Sequence, residues 1–380
     1  MQSNWTEYTL EDLLSYEQPT PYIVESTDYS DGYDTPVLTA GKSFIIGYTN
    51  EASGIYDKLP VIIFDDFTTS TQYVNFSFKV KSSAMKILTA NTELVIPKFI
   101  FYRMQIIEFD HSTHKRYWIQ QYSKIKVKIP PIPEQEKIVT KIEELFSELD
   151  NGVETLKKTK QQLAVYRQAV LKEAFDHISP RSDTHLIKDV CNDIKVGIVI
   201  KPAQYYTSEA EGIKAFRSAN VREFHINNTD WVYLSKEGHS CNLRSEIHTG
   251  DVLVVRSGYP GTSCVVTDEY NGCNAIDILI AVPNTDVITP EYLCAFTNSP
   301  YGRKLVSEKK RGVAQAHLNV GGYSQMKIPV PDISIQHQVV ENIESDLSRC
   351  DSIERTVDTA LQQAEAMRQS ILKQAFEGKM

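Results

Sequence analysis

The chain has 380 residues, 41% of them hydrophobic, which is enough apolar material for two or three domains with their own cores. Its longest apolar runs (PVIIF, GDVLVV, IDILIAV) are too short to cross a bilayer, and MQSNWTEYTLEDLL lacks the basic-then-apolar pattern of a secretory signal, so no membrane role is expected and the expected compartment is the cytoplasm. A net charge of -9 argues against a uniformly basic nucleic-acid binder and leaves room for local basic patches.

In chain order, residues 1–128 form the first predicted globular domain: short runs of β-branched and aromatic residues, broken by Gly, Asn, Asp and Pro, predict a mixed α/β unit rich in strand. Within it AGKS (40–43) and IIFDD (62–66) mimic a phosphate loop and an acidic strand. A true phosphate loop needs glycine where Pro36 stands, and proline has no N–H to wrap a phosphate. Asp65 and Asp66 therefore read as a turn after a strand.

KIPPIP (128–133) is an extended, proline-punctuated lead-in that forces a new helix to start. Residues 129–181 form the first predicted long-helix region, with an apolar column at Ile142, Leu149, Leu156, Leu163 and Val170. Residues 182–327 are a second strand-rich globular segment, with a faint echo of the first. PVIIFDDFTT (60–69) aligns with DVLVVRSGYP (251–260), and the same offset of 191 sets SSAMKIL (82–88) on CNAIDIL (273–279). KIPVP (327–331) leads into residues 328–380, a second long helix with its column at Ile343, Cys350, Val357, Ala364 and Ile371.

The two helices are copies. RQAVLKEAF (167–175) returns as RQSILKQAF (368–376), and the register runs without a gap from Gln135 with Gln336 to Phe175 with Phe376, with 15 of 41 pairs identical. The companion column mixes charged with apolar residues, which suits a helix pair within one molecule better than an open zipper between two. The expected fold class is α+β: two mixed α/β globular units separated by two long antiparallel helices, about 60 Å each, with pseudo-two-fold symmetry and the globular units at opposite ends.

All six cysteines lie after residue 190, with no C-x-x-C pair and no histidine at ligand spacing, so reduced, mostly buried thiols and no metal site are expected. There is no glycine-rich methyl-donor loop, no H-E-x-x-H and no G-x-S-x-G, so neither catalytic residues nor a cofactor is expected.

The order globular, helix, globular, helix, with IPPIPEQEKIV, IPVPDISIQHQVV, the RQ-x-x-LK-x-AF endings, TPVLTAGKSFIIGYT and PVIIFDDFTT, resembles the specificity subunits of type I DNA restriction-modification systems over essentially the whole chain. The resemblance implies a non-catalytic subunit whose two target-recognition domains read double-stranded DNA and whose helices hold two methyltransferase (modification) subunits, joined by restriction subunits. An N-terminal segment that helps close the symmetric ring in relatives is expected to be missing here, leaving 328–380 to close it. Diverged recognition domains imply two unlike half-sites, with a spacer set by helix length.

Candidate DNA contacts are polar or basic residues near strand ends and loops. In the second globular segment the densest run is RKLVSEKKRGVAQAHLN, with Arg303, Lys304, Lys309, Lys310, Arg311, Gln315, His317 and Asn319. Its counterpart in the first is HSTHKRYW, with His114, Lys115 and Arg116. Thr39, Lys42, Ser43, Lys81 and Lys86 join the first group, and Arg217, Asn220, Arg222, Arg256 and Tyr259 the second. The competing expectation is an adaptor scaffold that holds two partner subunits and binds no DNA.

Overall fold

A computed structural model describes residues 4–40, 43–111, 116–178, 182–309 and 317–379. The chain folds as two compact units: unit 1 is Met1–Leu156 with Asp358–Met380, and unit 2 is Lys157–Val357.

Unit 1 opens with β1 (Thr6–Thr9), α1 (Leu10–Leu13) and β2 (Leu14–Glu17). Then come β3 (Thr35–Leu38), β4 (Ile45–Thr49), β5 (Val61–Asp65), β6 (Thr71–Val74), β7 (Lys79–Val80) and β8 (Met85–Ala90). Helix α2 (Pro97–Met104), β9 (Lys126–Ile129) and α3 (Ile132–Asp176) follow. One sheet has the order β2-β8-β5-β6 and a second β4-β3-β7, while β1 pairs with β9. All five residues of β5 (VIIFD) are buried, as an unbroken apolar run predicts for a strand covered on both faces.

Unit 2 repeats this plan. Its strands are β10 (Thr184–Leu186), β11 (Cys191–Val196), β12 (Tyr206–Thr207), β13 (Ile213–Phe216) and β14 (Val232–Leu234), followed by α4 (Lys236–Cys241). After it come β15 (Val252–Val255), β16 (Ser263–Val265), β17 (Asn274–Ala275) and β18 (Ile278–Pro283). The unit ends on α5 (Pro290–Asn298), α6 (Pro300–Lys309), α7 (Val320–Ser324), β19 (Lys327–Pro329) and the start of α8 (Ile333–Phe376). The sheets are β11-β18-β15-β16 and β12-β14-β13-β17, with β10 on β19. The strand at each matching place is thus the echo seen in sequence: β5 answers to β15 and β8 to β18.

The long helices have 45 and 44 residues, about 67 Å at 1.5 Å per residue. In each unit they run antiparallel. In unit 1, Ile142 and Phe146 of α3 share a core with Leu372, Ala375 and Phe376 of α8. Arg368 bonds Asp150 and lies over the Phe146 ring at 4.3 Å. In unit 2, Leu171 and Phe175 of α3 share a core with Ile343 of α8. Arg167 reaches Asp351 at 2.6 Å and Glu354 at 2.9 Å.

The repeated ending therefore fills the same seat twice: Phe376 packs on Phe99 of α2 at 5.1 Å, and Phe175 on Tyr292 of α5 at 5.4 Å. Along the seven-residue column Ile142, Leu163, Val170, Ile343, Val357 and Ala364 are buried, and Leu149, Leu156 and Ile371 partly so.

A glutamine secures each helix start to its unit. Gln135 is fully buried; its Oε1 accepts from Ile96 N (2.8 Å), and its Nε2 donates to the carbonyls of Leu94 (3.0 Å) and Pro130 (2.8 Å). Gln336 does the same with Thr289 N, the Val287 carbonyl and the Pro331 carbonyl, each at 2.9 Å. The prolines break the strand, and the amide side chain satisfies one carbonyl of that break together with an N–H and a carbonyl of the loop ahead of α2 or α5.

Candidate nucleic-acid interface

In unit 1, parallel pairing of Leu38 with Val80 and antiparallel pairing of Asp65 with Met85 bring the ends of β3, β5 and β7 and the start of β8 to one edge. In unit 2, Phe216 pairs with Ala275 and Val255 with Ile278, which brings the ends of β13, β15 and β17 and the start of β18 to the matching edge. Loops leaving such edges are fixed by the sheets behind them while their side chains stay available.

At the unit 1 edge, Thr39 N bonds the Phe44 carbonyl and Lys81 N the Leu38 carbonyl, both at 2.9 Å, so Thr39, Ser43 and Lys81 stand together with Ser43 and Lys81 exposed. The turn after β5 is the one expected from IIFDD: Asp65 Oδ1 accepts from Phe67 N (2.8 Å) and Thr68 N (3.3 Å), and Thr69 takes a left-handed φ of 58°. That turn carries Phe67, 44% exposed, with the exposed Arg116 guanidinium over its ring at 6.0 Å.

Lys86 is not available to a ligand there. Its side chain is 1% exposed and meets Asp66 at 3.1 Å and Gln18 at 3.2 Å. Asp66 in turn accepts from Trp118 N at 2.8 Å, so the lysine neutralises a buried carboxylate that ties the Trp118 segment to β5.

At the unit 2 edge, Asn220 is likewise interior. It is fully buried, its Oδ1 accepts from Arg217 N (3.0 Å), and its Nδ2 donates to the carbonyls of Asn227 (3.3 Å) and Thr229 (2.8 Å). It shapes the loop that presents Arg217 and the exposed Arg222. Arg256, just past β15, donates from Nε to the Leu318 carbonyl (3.1 Å) and from Nη1 to Asp277 (2.5 Å). Ser257 bonds His317 Nδ1 at 2.6 Å, and exposed Asn319 caps α7 through Gly322 N at 2.7 Å.

Tyr259 tops the next loop at 84% exposure, between Gly258 (φ 82°) and Gly261 (φ 90°), values that glycine tolerates best. Arg303 braces this loop: Nη1 donates to the Pro260 carbonyl and Thr262 Oγ1, both at 3.1 Å, and Nη2 to Glu223 at 2.7 Å.

Lys304, although adjacent in sequence, is placed elsewhere, lining a cavity with Phe175, Thr184 and Lys327. Lys42, His114, Lys115, Lys310, Arg311, Gln315 and the side chain of Lys309 lie outside the described residues. Sequence reasoning missed Asp277, Glu223 and Phe67. The aligned echo held a signal for the first, because the 191-residue offset sets Asp277 on Lys86.

Among the described residues no three His, Cys, Asp or Glu side chains group as metal ligands, and no helix is long and apolar enough to cross a membrane. The cysteines are free thiols, four of them buried, and burial pushes Cys191 and Cys294 up to about 12 and Cys273 to about 11.

Comparison with known proteins adds a family match, two relatives and two solved structures. The model of the type I restriction modification DNA specificity domain matches residues 2–164. The chain is similar to the type I restriction enzyme EcoR124I/EcoR124II specificity subunit of Escherichia coli, at 31% identity over 87% of this chain and 84% of that one. It is also similar to the EcoBI specificity subunit of Escherichia coli, at 26% identity over 66% of this chain and 58% of that one. In fold it matches a chain solved in a study of complex assembly and conformational transition of the type I R-M system, with TM-score 0.72 and 18% identity over 100% and 99% of the two chains. It matches the HsdS subunit from Thermoanaerobacter tengcongensis with TM-score 0.53 and 18% identity, over 100% and 98%.

Proposed function

Because the chain belongs to the family of type I restriction enzyme specificity subunits, we propose that it is the sequence reader of such a complex, with each unit reading one half of a bipartite DNA target. The observation that carries this reading is the contrast inside one shared plan. The four-strand order of the first sheet and the helix seats repeat between the units, with one strand more in the second sheet of unit 2, while the side chains at the strand-end edge do not repeat. Repeated seats suit two copies of one partner, and unlike edges suit two different base sequences.

In this reading α3 and α8 dock two methyltransferase subunits, restriction subunits join that core, and helix length fixes the unread spacer. The chemistry belongs to the partners. The chain's net charge of -9 also fits, since the methyltransferases supply part of the positive clamp on the phosphates.

The test is co-expression with the cognate methyltransferase subunit and single-molecule mapping of methylated adenines. Exchanging residues 1–127 for another recognition domain should change one half-site and leave the other half-site and the spacer as they were. An unchanged motif would support the adaptor scaffold instead.

A further inference from the structure

Resting on that reading, we infer that Arg256 and Asp277 of unit 2 together read one G·C base pair. Arg256 has its stem covered, its side chain being 16% exposed, and its guanidinium is held by two acceptors, the Leu318 carbonyl on Nε and Asp277 on Nη1. Nη2 has no acceptor among the described residues. The plane of the group is thus set before any ligand arrives, and a fixed fork loses little freedom on binding.

Asp277 is 46% exposed, so the pair lies at the surface, where an ion pair adds little to stability. Asp277 sits at φ 50°, a left-handed conformation that aspartate tolerates better than most residues, so the turn itself fixes where the carboxylate stands.

The chemistry of the pair selects its ligand. In the major groove guanine offers two acceptors, O6 and N7, to a guanidinium, and the paired cytosine offers its N4 amino donor to a carboxylate. Arg256 and Asp277 present donor and acceptor side by side in that pattern. A phosphate is the poorer match, because the Asp277 carboxylate 2.5 Å from Nη1 would repel it. Unit 1 offers no such pair at this place. Tyr117 N bonds the Asp66 carbonyl (2.9 Å) as Leu318 N bonds the Arg256 carbonyl (3.1 Å), so the matching position holds an acid, and its lysine is sealed inside.

The experiment uses the full chain with its methyltransferase partner, first mapping the methylated motif and then repeating the map with Arg256→Gln, Arg256→Lys and Asp277→Ala. The half-site that survives exchange of residues 1–127 should contain a G·C pair whose discrimination falls roughly 10- to 100-fold in both arginine variants and to a smaller extent, at the same pair, in Asp277→Ala. Duplexes carrying the mapped site, titrated against salt, should keep the wild-type salt slope with Arg256→Gln.

A motif left intact by all three variants overturns the inference. So does an even loss of methylation with a salt slope reduced by about one, the mark of a phosphate contact. Should Arg256→Gln fail to fold by thermal melting, Arg256→Lys keeps the charge and still decides the matter. If the unsubstituted complex gives no bipartite motif at all, the proposed function fails first, and the two failures remain distinct.

Discussion

Just past the central strand of unit 1, Asp66 meets Lys86 with both side chains 1% exposed, whereas just past the corresponding strand of unit 2 Arg256 meets Asp277 with 16% and 46% exposed. The two ion pairs stand in opposite settings. In unit 1 the pair is an internal brace for the Trp118 segment; in unit 2 it opens to solvent beside an exposed tyrosine. The difference teaches that one scaffold can turn the same strand end into core or into surface, and the cost of breaking each pair should tell the two apart. Lys86→Met leaves a buried carboxylate without its cation, and unfolding followed by thermal melting should show a loss of about 3–5 kcal/mol. Arg256→Met should cost less, about 1–2 kcal/mol, because Asp277 is left half in water while the Leu318 carbonyl loses one donor. Equal losses would break the contrast.

The glutamines sharpen the opposite side of the comparison, where the units agree. Gln135→Ala and Gln336→Ala each remove a buried amide that serves one backbone N–H and two carbonyls. Each should cost roughly 2–4 kcal/mol through orphaned backbone groups. Hydrogen exchange at the Ile96 and Thr289 amides should quicken to a similar extent in the two variants. A difference of more than twofold in the two stability losses would mean that the seats are equivalent in outline only.

How much of this could be read from the chain depends on the range over which the contacts act. The repeat ending RQ-x-x-LK-x-AF showed that two helices are copies, because helical periodicity is local. What those endings touch was hidden, since Phe376 meets Phe99 and Phe175 meets Tyr292 across long stretches of chain. Gln135 and Gln336 opened the aligned register, yet their role needs loop carbonyls that no periodicity marks. Lys86 and Asn220 look like DNA contacts in sequence because they are polar and stand near strand breaks. The fold draws both inside, one to neutralise Asp66 and the other to bridge a loop, and only the partners decide this. Arg303 and Lys304 show the same limit on a helix, where one step turns a side chain from the loop face to the cavity at Phe175.

The smallest predicted effect concerns the two arginines of the repeated RQ. Arg167 and Arg368 are equivalent by sequence and both bond the equivalent aspartate, Asp351 or Asp150, but their other neighbours differ. Arg167 has a second carboxylate, Glu354, where the first copy has Val153; Arg368 has the Phe146 ring, where the second copy has Leu347. These side chains are between 24% and 60% exposed, so each arginine to alanine change should cost only about 0.3–1 kcal/mol at low salt. Salt then separates them. Near 1 M ionic strength the screening length falls to about 3 Å, and the purely ionic contribution of Arg167 should largely vanish. Arg368 should keep a share of roughly 0.5 kcal/mol, because stacking over a ring and covering its face survive screening better than a bond to a solvated carboxylate. Melting temperatures of the two variants measured against salt should therefore converge on wild type for Arg167→Ala and stay below it for Arg368→Ala.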